Sequence, residues 1–488
     1  MADGEAMRER IDGDIGLCEA KMKGFLGMPA SADFVCRALL SDGRRLALFF
    51  LEGMADGRLI DRYAVMPLQG AGGWNSLLDL SQRAVGLCQC EEAEYYAQAV
   101  EAVLEGKCAV FAQGGGGALI LDTRGPAGRA VDRPQGESAV MGPQEGFGEN
   151  LRVNVTLIRR IVKSEKLVGE ALTVGAALPT RVEIMYIQGV ARQEVVDAVR
   201  ERVQSLPAAQ CPGAGRLEQW MEGHPLSLFP QMLQTERPDR AAGMLTGGQV
   251  ALLVDGSPYA LICPVTLFHL LHAADDGYLR WQNGTFLRLV RMLGAVLSLI
   301  LPAAYLAVTT HHSHVLPADL LMSIAETRSR VPFSVLTEIW IMEAAFFLIN
   351  EAGTRVPSRI GPAVGIVGAL ILGQAAVSAS LISPLIIIVA ALTGLGAYCV
   401  PYYPLNLTLC ALRLGLTALA GAMGLYGLAL GLMLLWARLC ALDSFGVGYM
   451  EPLFPHRPHN DDLWARGPIW RQGRRFLARH DAWTGEKP

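Results

Sequence analysis

Ile360–Ser383, IGPAVGIVGALILGQAAVSASLIS, runs for 24 residues without a charged side chain. At ~1.5 Å per residue, a helix of that length crosses the roughly 30 Å hydrocarbon layer of a bilayer. The stretch therefore reads as a membrane-spanning helix, and its side chains are small. Gly361 and Gly365 form a GxxxG step, Gly368, Gly373, Ala375, Ala376 and Ala379 follow, and Gln374, Ser378 and Ser380 add polar groups. Small residues let helix backbones approach closely, while an amide or hydroxyl at bilayer depth needs a partner or water. Two readings stand side by side: a helix at a subunit junction or beside an aqueous path, or tight helix packing alone. On either, Gly361, Gly365, Gly368, Gly373, Gln374 and Ser378 are the pore or helix-packing candidates.

Outward from this stretch, the apolar residues of the 488-residue chain concentrate after Phe286, whereas the preceding part has soluble composition. Leu289–Val308, with Arg288 and Arg291 at its mouth, Leu385–Val400 and Leu412–Trp436 read as further spans. Val335–Ile349 is shorter and carries Glu338 and Glu343, so it spans with help, lies in the interface or re-enters. The tail arginines Arg457, Arg466, Arg471, Arg474, Arg475 and Arg479 favour a cytoplasmic C-terminus and an even count of crossings, and Arg355 and Arg359 pull the other way.

In the soluble part Arg45–Leu51 reads as a strand, and Cys108–Ala112 and Ala118–Asp122 as a hairpin across Gln113–Gly117. That glycine run lacks the Gly-Lys-Ser/Thr and the following helix of a phosphate-binding loop. Gly125–Gln144, rich in Gly, Pro and Arg, reads as a linker. Beyond it Pro143–Lys163 has helical spacing, Val182–Ile187 alternates as a strand and Gln193–Val203 suits a helix; Val250–Val254 and Tyr259–Cys263 flank the turn Asp255–Pro258. No internal repeat is visible. The fold class expected is an α+β two-lobed soluble N-terminal domain followed by an all-α polytopic membrane domain of four to five spans. Its parts are a first α/β lobe over 1–125, a second over 126–286, transmembrane helices over 287–440 and a basic cytoplasmic tail over 441–488.

A net charge of −4 argues against nucleic-acid binding that rests on phosphate contacts. Ten cysteines are scattered, with neither a zinc-ligand spacing nor a disulfide framework. The opening MADGEAMRERIDGDIG has no basic-then-apolar leader, so the soluble part is expected in the cytoplasm. No G-x-S-x-G, H-E-x-x-H, Walker or dinucleotide motif occurs, so neither an enzyme nor a cofactor is expected. His311, His312 and His314 fit a solvated loop more simply than a metal or pH sensor. His269 and His272 share one helix face and fit a capped or surface pair.

Glu338 and Glu343 are the intramembrane carboxylate candidates. A charge at mid-bilayer costs ~2.5–3.5 kcal/mol on insertion scales, so Glu343 must be neutral, paired or facing water. Asn350 shares its face, and Glu338 points elsewhere. Either Glu343 helps attract a cation on a permeation path, or it pairs with Arg355 or Arg359. In the run Glu236-Arg237-Pro238-Asp239, Pro238 fixes a turn and Arg237 suits a carboxylate at a lobe or subunit junction, a structural role.

Several motifs in order resemble one family. They are Gly142-Pro143-Gln144-Glu145-Gly146-Phe147 continuing to Arg159-Arg160, then Thr235-Glu236-Arg237-Pro238-Asp239, Val254-Asp255-Gly256-Ser257-Pro258, and Met342-Glu343 leading to Glu351-Ala352-Gly353. Gly373-Gln374-Ala375-Ala376-Val377, Ser383-Pro384 and Ser444-Phe445-Gly446-Val447 complete the set. The pattern is similar to the A subunits of the GerA-type spore germinant receptors, and the opening part also resembles the paralogous stage V sporulation protein AF. The resemblance implies a multi-pass protein of the spore inner membrane with its N-terminal domain in the cytoplasm. It implies homo-oligomers that work in the lipid bilayer with two partners, a permease-like B subunit plus a lipoprotein C subunit. The oligomer would be a nutrient-gated channel releasing monovalent cations at the onset of germination. A secondary transporter or a sporulation membrane scaffold are the alternatives.

Overall fold

The structure, a computed structural model, describes residues 6–71, 73–74, 79–81, 85–87, 89–125, 133–134, 136–137, 141–175, 179–206, 213–355, 371, 373–454 and 465–467. Gly361, Gly365 and Gly368, with most of the stretch around them, lie outside these residues, as do the tail arginines other than Arg466.

The first sheet contains β1 (Phe34–Ser41), β2 (Arg44–Leu51), β3 (Cys90–Ala93), β4 (Cys108–Ala112) and β5 (Ala118–Leu121), with α1 (Ile15–Phe25) and α2 (Tyr96–Leu104) packed on it. Its order is β1-β2-β4-β5-β3, all antiparallel. The central β2 reads RRLALFFL because both its faces are covered: Ala47, Phe49 and Leu51 meet α1 and α2, while Leu46 and Leu48 meet the helical residues 57–70. Each fully buried Leu or Phe there contributes roughly 1.5–3 kcal/mol.

The second sheet is built from α3 (Leu151–Ile161), β6 (Leu167–Val174), β7 (Thr180–Ile187), α4 (Gln193–Gln204), α5 (Ala214–Met221), β8 (Leu233–Thr235), α6 (Pro238–Thr246), β9 (Val250–Val254) and β10 (Ala260–Cys263). Its order is β6-β7-β9-β10-β8. Both sheets therefore share one strand order, first-second-fourth-fifth-third. This internal repeat corrects the sequence reading, in which none was visible. A buried strand asks only for apolar side chains at suitable positions, so topology persists where residue identity does not. The helix expected over Pro143–Lys163 is also shorter. It starts at Leu151, where the Asn150 side chain accepts from the N–H groups of Arg152 and Val153.

The two sheet modules meet at a buried ion pair. Arg159 of α3 donates from Nε and Nη2 to Asp33 at 2.7 and 2.9 Å and from Nη1 to the Leu167 carbonyl at 2.6 Å. The backbone N–H of Ala32 donates to the Gly169 carbonyl on β6 at 2.9 Å. Glu183 of β7 is buried beside this junction. Burial, then the charge of Asp33, pushes its carboxyl up to about 7, with Glu52 adding to the rise and Arg159 opposing it.

Among the described residues the bundle includes α7 (Trp281–His311), α8 (Val335–Arg355), α9 (Pro384–Tyr398), α10 (Tyr403–Met423) and α11 (Leu425–Ala441). Among the described residues α7 and α10 are long and apolar enough to cross a membrane, and α9 and α11 are apolar but shorter. The segment Val335–Ile349, expected to span with help, lie in the interface or re-enter, is part of a helix of 21 residues. The span expected over Leu412–Trp436 is two helices. Gly424, at φ 61° and ψ −139°, turns the chain back, and the hairpin closes so tightly that a Cβ on Gly427 would strike the Leu419 carbonyl. Between α7 and α9, a Cβ on Gly396 would lie 2.5 Å from the Gly294 carbonyl oxygen.

These contacts give each helix a direction. Gly424 touches His311 and His312, so α7 and α10 both end at the pole away from the sheets. Leu336 lies by Gly421, Glu343 by Arg413, and Asn350 accepts from the Tyr398 hydroxyl at 3.3 Å, so α8 runs back toward the sheets. The chain leaving α11 turns into the second sheet module: Ser444 Oγ donates to the Gln231 carbonyl at 2.7 Å, and the Tyr449 hydroxyl to that of Pro230 at 2.9 Å. One face of the second sheet shares a continuous apolar core with the bundle, from Leu253 and Ile262 to Leu306 and Leu416.

The raised Glu183 carboxyl makes a pH prediction. The folded chain holds this proton to higher pH than the unfolded one, whose value is the ordinary 4.5. The stabilisation is whole below that value and is lost as pH rises through about 7. Thermal unfolding of the purified chain between mildly acidic and mildly alkaline pH should show Glu183→Gln flattening the decline, a difference on the order of 3 kcal/mol. An unchanged pH slope would contradict the assignment.

Candidate functional site in the helical bundle

The interior of the bundle carries a polar row whose origin lies in one residue. Pro302 sits inside α7 and has no N–H, so the carbonyl four residues earlier, on Ser298, has no donor within its helix. Arg413 of α10 supplies one, its Nη1 lying 3.2 Å from that oxygen. The same guanidinium donates to Glu343 of α8 and, at 3.6 Å, to Cys410 Sγ on its own helix. The side chains of Arg413 and Glu343 are 7% and 11% exposed, so the charges are paired away from solvent. Next along α8, Trp340 Nε1 donates to Thr417 Oγ1 at 3.0 Å.

The described partner of Glu343 is thus Arg413; Arg359 and the side chain of Arg355, the partners considered from the sequence, lie outside the described residues. Nothing in the sequence near Glu343 marks a residue 70 positions away. Asn350, seven residues on in the same helix, engages α9 while Glu343 engages α10. Glu338 does point elsewhere. It is fully buried and accepts the Ser383 N–H at 2.8 Å, placing a carboxylate at the N-terminus of α9. The Tyr305 hydroxyl, Arg328 Nε, Ser383 Oγ and the other Glu338 oxygen are also buried and have no hydrogen-bond partner among the described residues.

Of the small-residue candidates, Gly373 is buried with Ile387 of α9 3.9 Å from its Cβ position. Gln374, Ala375, Ser378 and Ala379 are exposed on one helical face. Ser378 Oγ donates to the Gln374 carbonyl at 2.8 Å, while the Gln374 side chain points out of the single chain.

The Glu236–Asp239 run closes on itself. Arg237, 1% exposed, grips Asp239 with two bonds of 3.1 and 2.8 Å, and Pro238 opens α6. Burial raises the Asp239 carboxyl, but Arg237 and the Tyr278 hydroxyl outweigh it and hold it below the usual range. Glu236 accepts the Gly136 N–H at 2.9 Å, and its carbonyl accepts that of Phe147 at 2.7 Å. Asp255 accepts the Leu151 N–H at 3.3 Å, so three sequence motifs converge on one corner of the second module. The arginine expected to bridge a lobe or subunit junction is spent locally, and Arg159 bridges the modules instead.

At the mouth of α7, Arg288 and Arg291 both donate to Asp276, and Arg466 donates to the carbonyls of Asp276, Gly277 and Leu279. His269 is a buried core histidine whose Nδ1 accepts the Thr266 N–H at 3.1 Å. Among the described residues no three His, Cys, Asp or Glu side chains form a metal cluster.

An α+β module of two repeated sheets, carried on an apolar bundle registered by a buried ion pair, defines the class. The chain belongs to the Bacillus/Clostridium GerA spore germination protein family, whose model matches residues 20–477. It is 33% identical over 453 residues to spore germination protein KA of Bacillus subtilis, covering 91% of this chain and 83% of that one. Spore germination protein B1 of the same organism is 34% identical, over 91% of this chain and 92% of its own length. GerLA of Bacillus cereus is 32% identical, over 91% of both. The solved N-terminal domain of the A subunit of the Bacillus megaterium spore germinant receptor GerK3 is 25% identical, with a TM-score of 0.42 over 52% of this chain and 96% of that chain.

The ion pair predicts a mutational cycle. Arg413→Met leaves Glu343 buried without its cation and should cost roughly 3–5 kcal/mol, whereas adding Glu343→Met should recover most of that loss. Unfolding midpoints in detergent for the four proteins decide it. A double variant no more stable than Arg413→Met would remove the pair as the tie between helices.

Proposed function

We propose that this chain is the A subunit of a spore germinant receptor, a multi-pass protein whose copies assemble around an ion path opened by nutrient binding to partner subunits. The observation that carries the reading is the outward face of Gln374, Ala375, Ser378 and Ala379. An exposed amide on an otherwise apolar helix calls for a second copy or water at bilayer depth, and alanines beside it leave room for either. Family membership supports the role in germination, and the family's permease-like B and lipoprotein C subunits are the partners that would report nutrient. Glu343 is assigned to holding the bundle, since Arg413 already neutralises it. The repeat lies in the sheet modules, so it lends nothing to a transporter built from repeated helical halves.

Nutrient-triggered cation flux through liposomes holding the purified chain with its partner subunits tests this. Gln374→Leu with Ser378→Val should cut flux at least roughly tenfold while the oligomer stays intact, because desolvating an ion beside apolar walls is costly. Unaltered flux in that variant would reject the path, and no flux from the parent protein would favour a scaffold.

The helix directions further support a bundle that the chain enters and leaves on the side of the sheets, hence an even number of crossings. In sealed vesicles, with the exposed Cys440 replaced, an impermeant thiol reagent should reach Glu101→Cys and Phe454→Cys from one side and Ser313→Cys from the other. Labelling of Phe454→Cys and Ser313→Cys from the same side would refute this arrangement.

A further inference from the structure

The loop between α5 and β8 holds its backbone rigidly while leaving two leucines uncovered. Leu226 is 96% exposed and Leu228 58%. The buried Gln231 carboxamide clamps His224, accepting its N–H at 3.0 Å and donating to its carbonyl at 2.9 Å. His224 Nε2 lies 2.8 Å from Asp443, just beyond α11. Phe229 is buried against Tyr449, with ring centroids 6.0 Å apart. Thr408 Oγ1 of α10 donates to the Leu228 carbonyl at 2.5 Å. A loop fixed from so many directions presents its apolar tip by construction.

The bundle supplies the depth scale. Tyr398 at the end of α9, Tyr403 at the start of α10 and Trp436 near the end of α11 are 69%, 50% and 48% exposed, and all lie at the pole nearest the sheets. Exposed aromatic side chains at one level of an apolar bundle mark a membrane–water interface. Thr408 lies five residues into α10 from Tyr403, roughly 7.5 Å further along the axis. Leu228 is bonded at that level, between the depths of Tyr403 and Trp436 and so within the aromatic belt. Beside it the exposed Leu407 and Leu414 continue the apolar surface of α10.

We propose that the Gly223–Phe229 loop is a membrane-interface anchor, with Leu226 and Leu228 seated among the acyl chains of the leaflet facing the sheet modules. The proposal rests on the membrane reading of the bundle and goes beyond it by assigning the second sheet module its own lipid contact. The loop is tied to α10 through Thr408 and to the chain after α11 through Asp443, so the module cannot turn without moving both helices.

The test places an environment-sensitive thiol-reactive fluorophore on the full chain, with Cys440 replaced, at Leu226→Cys, Leu434→Cys or Leu40→Cys. Leu434 is exposed on α11 and Leu40 on the first sheet. Each protein goes into phosphatidylcholine liposomes with plain or brominated acyl chains. Bromolipid should quench the probes at 226 and 434 several-fold more than the probe at 40. Quenching at 434 with none at 226 would overturn the anchor and leave the spanning bundle standing, whereas no quenching at either would overturn both. Disulfide cross-linking between two Leu226→Cys chains, with no lipid quenching there, would assign the tip to a second copy and overturn the anchor.

Discussion

One guanidinium sets the register of the bundle. Arg413 joins α7, α8 and α10 by satisfying the carbonyl that Pro302 strands on Ser298 and by neutralising Glu343. Each element would be a liability alone: a helix carbonyl without its donor, a carboxylate and an arginine away from water. Together they compensate one another, and they do so at a single relative position of the three helices. Sliding α10 by a turn would break both contacts, and sliding α7 or α8 would break one. Apolar packing alone tolerates such slips far better, because one leucine contact resembles another. The close glycine contacts at Gly294, Gly396, Gly427 and Gly431 then fill in around a register already chosen.

The second sheet module is continuous with this bundle in a way that the first is not. Its inner face shares the bundle's core, Tyr402 donates its hydroxyl to the Met232 carbonyl at 3.4 Å, and the chain after α11 completes it with Ser444 and Tyr449. The first module reaches the bundle through the Asp33–Arg159 junction. The second module thus touches the bundle directly, whereas the first meets the second at the junction built from Asp33–Arg159 and the Ala32–Gly169 backbone bond.

Much of the fold was legible in the residues. Cys108–Ala112 and Ala118–Leu121 pair across the glycine turn, Val250–Val254 and Ala260–Cys263 pair across Asp255–Pro258, and Gln193–Gln204 is helical, because each follows from local pattern and turn chemistry. The break at Gly424 was not legible. Apart from Arg413 at its start, Leu412 to Trp436 carries no charge, and Gly424 is one of five glycines within it, an ordinary feature of a membrane helix. The backbone turn at Gly424 and the contacts of Gly427 and Gly431 with α10 separate a hairpin from one long span. The partner of Glu343 was hidden for the same reason, since an arginine on another helix carries no local mark of its use.

By itself the sequence determined where apolar surface accumulates, which segments alternate as strands, and the family to which the ordered motifs belong. These depend on side-chain chemistry taken a few residues at a time. Tertiary structure alone decided that the two sheets repeat one topology, that Arg237 is spent on Asp239 while Arg159 holds the modules together, and that Leu226 and Leu228 are presented instead of buried. Those outcomes turn on which distant groups arrive together, and burial makes the difference. A charge or a leucine has no fixed role until the fold decides whether water, lipid or another side chain lies against it.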